Sequence, residues 1–496
     1  MSDARNGKIP IQLSPLVHLS NNWISLIGVV VVTTATVFWL FLLPTTMRGE
    51  IHNPYNGILA FMLLPALFFL GLILIPLGIY RQNRGERRRG LYPAAFPPLN
   101  LKNMEFRRLI SFVGVTTFAN IVIASQLAYG AVSYMETQSF CGQTCHTVMQ
   151  PEYTAYQSSP HSRVECVQCH IGPGESWFVR SKLSGIRQVF AVMFHTYETP
   201  IPTPVHNLRP ARETCEACHW PQKYGEDRLR IIDKFGDDEN NSPTKTVLLM
   251  KIGGGNKGIG IHGTHLGPGV HIRYGHSDAQ RQTIPWIEYG GPAGKTVYRA
   301  EGAAADGKGL SIREMDCIDC HNRPAHAYQT ANQAVEVDMA LGKISTQLPY
   351  IKKTAVEALT KEYASTDQAY EGIAAVLRQK YQAADEVAPA IAAVQRIYQE
   401  NFFPQMKADW RIYPNNIGHK DWPGCFRCHD DKHRTVDGNV AVRSSDCTAC
   451  HAMLAQGRGE ELAKLAPQGL EFKHPGGDLD PDLLCSDCHK GGIQGK

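Results

Sequence analysis

Fourteen cysteines stand in seven pairs along the chain, and each pair is followed at once by a histidine. Six pairs read Cys-x-x-Cys-His: Cys166/Cys169/His170, Cys215/Cys218/His219, Cys317/Cys320/His321, Cys425/Cys428/His429, Cys447/Cys450/His451 and Cys485/Cys488/His489. The first along the chain, Cys141/Cys145/His146, has one extra residue between its cysteines. Two thiols so spaced add to the two vinyl groups of one haem, and the adjacent imidazole then lies under the iron as an axial ligand. A disulfide has no use for the following histidine, and histidine is only 20 of 496 residues, so chance does not supply seven such triplets. Structural zinc would need four ligands from paired motifs at knuckle spacing, whereas the gaps between these motifs run from about 20 to about 105 residues. The pattern predicts seven covalently attached haem c groups.

An electron-transfer haem commonly carries imidazole on both faces, which keeps iron low-spin and blocks substrate binding. Seven histidines serve as proximal ligands, and His18 and His52 lie in or beside apolar stretches. Eleven remain: His161, His195, His206, His262, His265, His271, His276, His326, His419, His433 and His474. The expected distal ligands sit near motifs. His161 precedes Cys166, His326 follows His321, His433 follows His429, and His419 and His474 precede Cys425 and Cys485. The His262/His265/His271/His276 group could alternatively hold zinc; His262 is the expected distal ligand there, and His206 competes with His195 for another place.

These sites need an anchor and a scaffold. Three apolar stretches, 23–43, 57–80 and 109–134, are long enough to cross a bilayer. The first does not read as a cleaved signal peptide: it is long, a second span follows a short loop, and no small-residue cleavage site succeeds it. Basic residues orient the spans. Arg81, Arg84, Arg87, Arg88, Arg89, Lys102, Arg107 and Arg108 fall between the second and third, while only Arg48 and Glu50 fall between the first and second. An Arg-rich cytoplasmic loop and a cytoplasmic N-terminus are therefore expected, with the third span reaching the periplasm just before Cys141. Bacteria attach haem c in that compartment, so the expected location is the inner membrane with a periplasmic haem domain. Beside two apolar spans the Arg cluster is no nucleic-acid patch, and no nucleic-acid partner is expected.

The expected fold is a mainly α and irregular multihaem cytochrome c: three transmembrane helices plus a periplasmic heptahaem domain with little sheet, because porphyrin replaces much of the side-chain core. Residues 1–108 would hold two spans and the Arg-rich loop, and 109–225 the third span and the first three motifs. A Gly/His-rich insertion at 226–330 carries the fourth motif, its β-branched residues and glycines reading as strands and turns. Residues 331–411, with apolar residues at helical spacing, read as a helical spacer. Residues 412–496 carry the last three motifs. The formal charge is +4, but two propionates per haem would bring the loaded protein to roughly −10, steering basic partners toward it.

The stretch from Cys141 to Lys182 resembles the NapC/NirT (NapC/NrfH) family of membrane-anchored quinol dehydrogenases. The likeness lies in a transmembrane helix running into the first motif, a Met soon after it, Tyr156-x-x-Ser159-x-His161, Val164-x-Cys166-x-x-Cys169-His170, and Trp177 with Lys182. It implies that Met149 ligates the first haem and that Lys182 lines a quinol site. Over nearly its full length the chain resembles the heptahaem inner-membrane cytochromes of ImcH type from metal-respiring bacteria. That likeness includes the three apolar spans, residues 317–326 (CIDCHNRPAH) and 416–433 (NIGHKDWPGCFRCHDDKH). There are departures from the NapC/NirT pattern. Met149 stands three residues after His146 rather than two, so His146 and Met149 remain alternative iron ligands. Gln188 and Val189 occupy the region where an acidic residue is usual, leaving Glu152 and Glu198 as substitutes. Residues 177–194 mix aromatic, aliphatic and basic side chains in an interfacial helix pattern. Lys182 there either snorkels to lipid phosphate or meets quinol.

The resemblance implies oxidation of menaquinol at the lipid bilayer and relay of electrons to soluble periplasmic multihaem cytochromes during anaerobic respiration. Two alternatives stand beside it: an electron-transfer subunit docked to other membrane subunits, and a reductase of the nitrite or hydroxylamine type. The reductase needs an open haem, against which eleven spare histidines argue. The sequence does not set the direction of electron flow.

Overall fold

The computed structural model describes residues 19–20, 22–47, 62–91, scattered positions between 118 and 135, and then 136–144, 146–205, 208–220, 225–254, 259–382, 385–474, 480 and 482–489. They fall into two units, 1–144 and 145–496.

The first unit holds helices α1 (Trp23–Met47) and α2 (Leu64–Arg89), and ends in a π-helical turn, Phe140–Thr144. At 1.5 Å per residue α2 spans about 39 Å, more than a hydrocarbon core of ~30 Å. Among the described residues it is the one helix long and apolar enough to cross a membrane, and α1 contributes a shorter apolar stretch, Trp23–Thr36. The third expected span lies largely outside the described residues. Glycines bring α1 and α2 into backbone contact: a Cβ on Gly28 would stand 2.8 Å from the Gly71 carbonyl oxygen. Ser25 Oγ donates to the Ile75 carbonyl at 3.0 Å. Small residues with a hydroxyl cross-bond are how apolar helices associate where no water drives them together. The Arg-rich segment begins as helix rather than loop. After Tyr80, α2 continues to Arg89, supported by Gln82 to Glu86 and Arg87 to Asn83 contacts, and it stops at Gly90 in the left-handed region, φ 69°. Arg and Gln are good helix formers, and their charge does not break the helix.

In the second unit, α3 (His146–Gln157) and the single turn α4 (Cys166–His170) precede α5 (Glu175–Met193) and a further turn, α6 (Ala211–Cys215). Strands β1 (Arg228–Phe235) and β2 (Pro243–Met250) follow, then α7 (Gly260–Leu266), β3 (His271–His276), β4 (Trp286–Gly291), β5 (Gly294–Arg299) and β6 (Ser311–Glu314). The turn α8 (Cys317–Cys320) leads into four helices: α9 (Ala331–Ala340), α10 (Ile351–Thr360), α11 (Thr366–Tyr381) and α12 (Val387–Asn401). The chain ends through β7 (Arg434–Thr435), β8 (His451–Gly457) and the turn α13 (Cys485–Cys488). All strand pairs are antiparallel, in sheets ordered β1-β2-β8 and β6-β3-β4-β5-β7. Sheet is thus more extensive than expected. β8 starts at His451 itself, and its pairing with β2 carries the sixth motif onto the insertion.

Polypeptide core is concentrated where no motif lies. α9 to α12 bury Val335, Ile351, Leu359, Ile373, Leu377 and Val394 almost completely, and Tyr328, Phe402, Phe403, Trp410 and Tyr413 close one end. Thr330 and Ser365 hydroxyls accept from the Gln333 and Gln368 amides and so start α9 and α11. Val148 and Ala155 of α3 join the same core, so the helices clamp the element that follows the first motif. Leu359→Ala should destabilise this unit by about 2–5 kcal/mol. Thermal unfolding would show it as a lowered midpoint, with the haem content by intact mass unchanged.

Candidate haem sites

The motifs are built on single turns. The amide of the motif histidine donates to the carbonyl of the first cysteine in His219→Cys215 (2.7 Å), His321→Cys317 (2.8 Å), His429→Cys425 (3.0 Å) and His489→Cys485 (3.0 Å). This closure ties the imidazole to the turn that bears both thiols. The fourth motif is held hardest. Asp319, between its cysteines and 2% exposed, accepts from Tyr274 Oη (2.6 Å), Arg281 (2.9 Å) and Arg313 (3.0 Å). Burial and then this carboxylate push the Tyr274 phenol well above its ordinary range, keeping it a donor. Among the described residues no disulfide joins any two cysteines. No three His, Cys, Asp or Glu side chains converge there on one point as a zinc site would need. Cys145 and the His146 side chain lie outside the described residues.

Five motif histidines each face another imidazole at nearly constant separation. His170 and His326 have ring centroids 6.1 Å apart, His219 and His161 5.8 Å, His321 and His262 6.2 Å, His429 and His265 5.9 Å, and His489 and His419 6.2 Å. His419 also stands 6.5 Å from His451. With metal–nitrogen bonds of about 2 Å and a centroid about 1 Å behind each nitrogen, two imidazoles on opposite faces of one iron stand roughly 6 Å apart. The separation fits an iron between the rings.

The remaining ring atoms agree with that use. Nδ1 lies within hydrogen-bond distance of a backbone carbonyl in His161 (Pro324, 3.1 Å), His265 (Ile261, 2.7 Å), His326 (Glu152, 3.0 Å), His429 (Arg443, 3.3 Å) and His489 (Lys420, 3.1 Å). A carbonyl can only accept, so Nδ1 carries the proton and Nε2 is left with its lone pair, the tautomer that ligates metal. Burial holds His170, His262, His321, His429 and His451 below the ordinary imidazole pKa. It brings His419 to about 4, aided by His489 and His451. These rings are neutral at physiological pH.

Two distal expectations change. His433 is 3% exposed, with Nδ1 on Asp430 (2.8 Å) and Nε2 on the Ile284 carbonyl (2.6 Å). Both nitrogens are engaged, so it pins the loop after the fifth motif to the insertion and presents no lone pair to iron. The ring facing His429 is His265, which the sequence reading passed over. His262 and His265 lie three residues apart on α7, and that spacing was the signal: one turn of helix presents an imidazole to each of two motifs. His271 and His276 instead bond Glu314 and the Asp278 carbonyl. His206 lies outside the described residues. His474 stands edge-on to Phe472 at 6.1 Å.

From the second to the seventh, the motifs follow one another in space as in sequence. Burial raises the Cys169 thiol, with Cys215 and Cys218 beside it. Cys215 and Cys317 share a hydrogen bond. Burial pushes Cys320 up to about 11 and Cys428 to about 12, and these two thiols are neighbours. Cys450 lies near Cys425, and Cys447 near Cys485. The second to seventh motifs are thus linked neighbour to neighbour.

Near the first motif, α3 carries Met149, half-buried one turn after His146. Glu152, expected as a spare proton acceptor, is engaged: its carboxylate accepts from Arg323 (2.9 Å) and Tyr328 (3.2 Å). Glu198 is exposed. On α5, Lys182 Nζ lies 4.8 Å over the Phe178 ring. Val179, Leu183, Ile186, Phe190 and Met193 form an exposed apolar stripe along that helix.

Residues 104–203 match the model of the NapC/NirT cytochrome c family, N-terminal region. The chain is 40% identical over 494 residues to the cytochrome c-type protein ImcH of Geobacter sulfurreducens, covering 94% of this chain and 95% of that protein. It belongs to the NapC/NirT cytochrome c family. The cytochrome c-type protein NrfH of Wolinella succinogenes is 28% identical over 122 residues, 24% of this chain and 66% of that one. No solved structure matches. As a NapC/NirT cytochrome the protein carries haem c and transports electrons, and the matched segment contains the first two motifs, α3, α4 and α5.

If the facing rings share an iron, His265→Ala should turn one low-spin ferric signal high-spin in electron paramagnetic resonance. His433→Gln should leave every low-spin signal in place.

Proposed function

We propose that this protein is a membrane-anchored heptahaem quinol dehydrogenase that oxidises menaquinol at the membrane surface and passes electrons, haem by haem, to soluble periplasmic multihaem cytochromes. The single observation that carries the proposal is the run of facing imidazoles on motifs that adjoin one another in sequence order. When bound, haem c takes up and releases one electron at a time. Cys141, Cys145, Cys166, Cys169, Cys215, Cys218, Cys317, Cys320, Cys425, Cys428, Cys447, Cys450, Cys485 and Cys488 would hold seven groups. Their proximal ligands would be His170, His219, His321, His429, His451 and His489, with His146 or Met149 at the first. The facing rings of His326, His161, His262, His265 and His419 would close the opposite sides.

The chain's own residues would do three things. The exposed stripe of α5 would lie against the apolar edge of the headgroups, in an inner membrane with the haem domain periplasmic and the N-terminus cytoplasmic. Lys182, flanking that stripe, would donate to a quinol oxygen and orient it toward the first motif. Imidazoles on both faces would exclude water and substrate from the later irons, so that electrons alone pass. The same double facing speaks against a nitrite- or hydroxylamine-type reductase. Electrons would leave from the last motif in the row, Cys485/Cys488/His489.

Lys182→Leu removes one charge-assisted hydrogen bond, worth about 1.5–3 kcal/mol. Menaquinol-dependent haem reduction should then slow by roughly 10- to 100-fold, while dithionite reduces all haems as before. Unchanged quinol kinetics would remove Lys182 from the mechanism.

A further inference from the structure

Glu152 stands where two parts of the protein meet. It lies on α3, three residues beyond Met149. Its backbone carbonyl accepts from His326 Nδ1 at 3.0 Å, and its carboxylate is 3.3 Å from the same nitrogen. Arg323 donates to both carboxylate oxygens, at 3.1 and 2.9 Å, and Tyr328 Oη donates at 3.2 Å. The guanidinium is fixed in turn: its Nε donates to the His326 carbonyl at 2.7 Å, and its charge lies 4.9 Å from the Tyr328 ring centre and 4.6 Å from that of Tyr413. The side chains of Glu152 and Arg323 are 18% and 8% exposed, so solvent screens them weakly. The ring that faces His170 is thus backed by the Glu152 carbonyl at hydrogen-bond distance, with the carboxylate close beside it.

We propose that Glu152 is a positioning residue that sets the reduction potential of the second haem. The inference rests on His326 being that haem's distal ligand. A negative charge behind Nδ1–H makes the imidazole a stronger donor and favours ferric iron, which lowers the potential. Arg323 and Tyr328 hold the carboxylate in place and moderate its field. Because α3 also bears the candidate ligands of the first haem, that helix would reach the next iron through Glu152, by its backbone carbonyl as well as its carboxylate.

The test is a spectroelectrochemical titration of the full chain carrying all its haems. Glu152→Gln should raise one midpoint by about 59 mV or more, a tenfold change for a one-electron couple. Tyr328→Phe, a milder change that leaves the carboxylate less compensated, should lower the same midpoint. Loss of packing alone would not move the two in opposite directions. The component that moves should be the one whose low-spin signal disappears in His326→Ala. An unchanged low-spin signal in His326→Ala overturns the ligand assignment and this inference with it. With that signal lost, a Glu152→Gln protein of full haem content and unshifted midpoints overturns the role of Glu152 alone. Should Glu152→Gln fail to retain haem, an unshifted Tyr328→Phe does the same.

Discussion

The structure depends on a fixed gap. Imidazoles from separate parts of the chain stand about 6 Å apart, centroid to centroid. A haem iron held between two axial nitrogens would fill such a gap. Much of the remaining architecture delivers rings to those gaps: α7 offers two from one turn, α3 braces a third through Glu152, and the loop before the fifth motif supplies His419.

The partners are not neighbours in sequence, and that explains how so irregular a chain is held together. His161, ahead of the second motif, faces the third. His326, beyond the fourth, faces the second. His262 and His265 reach the fourth and fifth from the insertion. With an iron held between its rings, each facing pair would close a long loop, much as a disulfide does, and loop closure grows more costly with length only slowly. Side-chain core is then needed mainly where no motif lies, which is where α9 to α12 bury it. The Asp319 network and the β2–β8 ladder do the same work at the fourth and sixth motifs with hydrogen bonds.

The covalent chemistry was legible in the sequence because it is local: two thiols and an imidazole on one turn need no tertiary information. Distal partners are a different kind of fact. Proximity in sequence favoured His433 for the fifth motif, but Asp430 and the Ile284 carbonyl claim both its nitrogens, and His265 arrives from over a hundred and fifty residues upstream. His161, His262, His326 and His419 stood out beside motifs in the sequence, but the motif histidine each one faces could not be read there. Strands in the insertion were readable from β-branched residues and glycines; the partnership of β2 with β8 was not, since nothing within either segment specifies it. Charge suggested a loop after Tyr80, where α2 in fact runs on, because arginine reports on the compartment and not on the backbone.

The crossing of ring partners also gives the molecule a history. As the chain emerges during synthesis, the third motif appears with its companion ring, His161, already present. The second motif does not: it must wait for His326, which follows two further motifs. On that pairing, maturation would not proceed strictly in the order of translation. With His326 as its distal ligand, the haem of the second motif would be attached before its final partner is made, and would be completed only when the middle of the chain folds back to meet it.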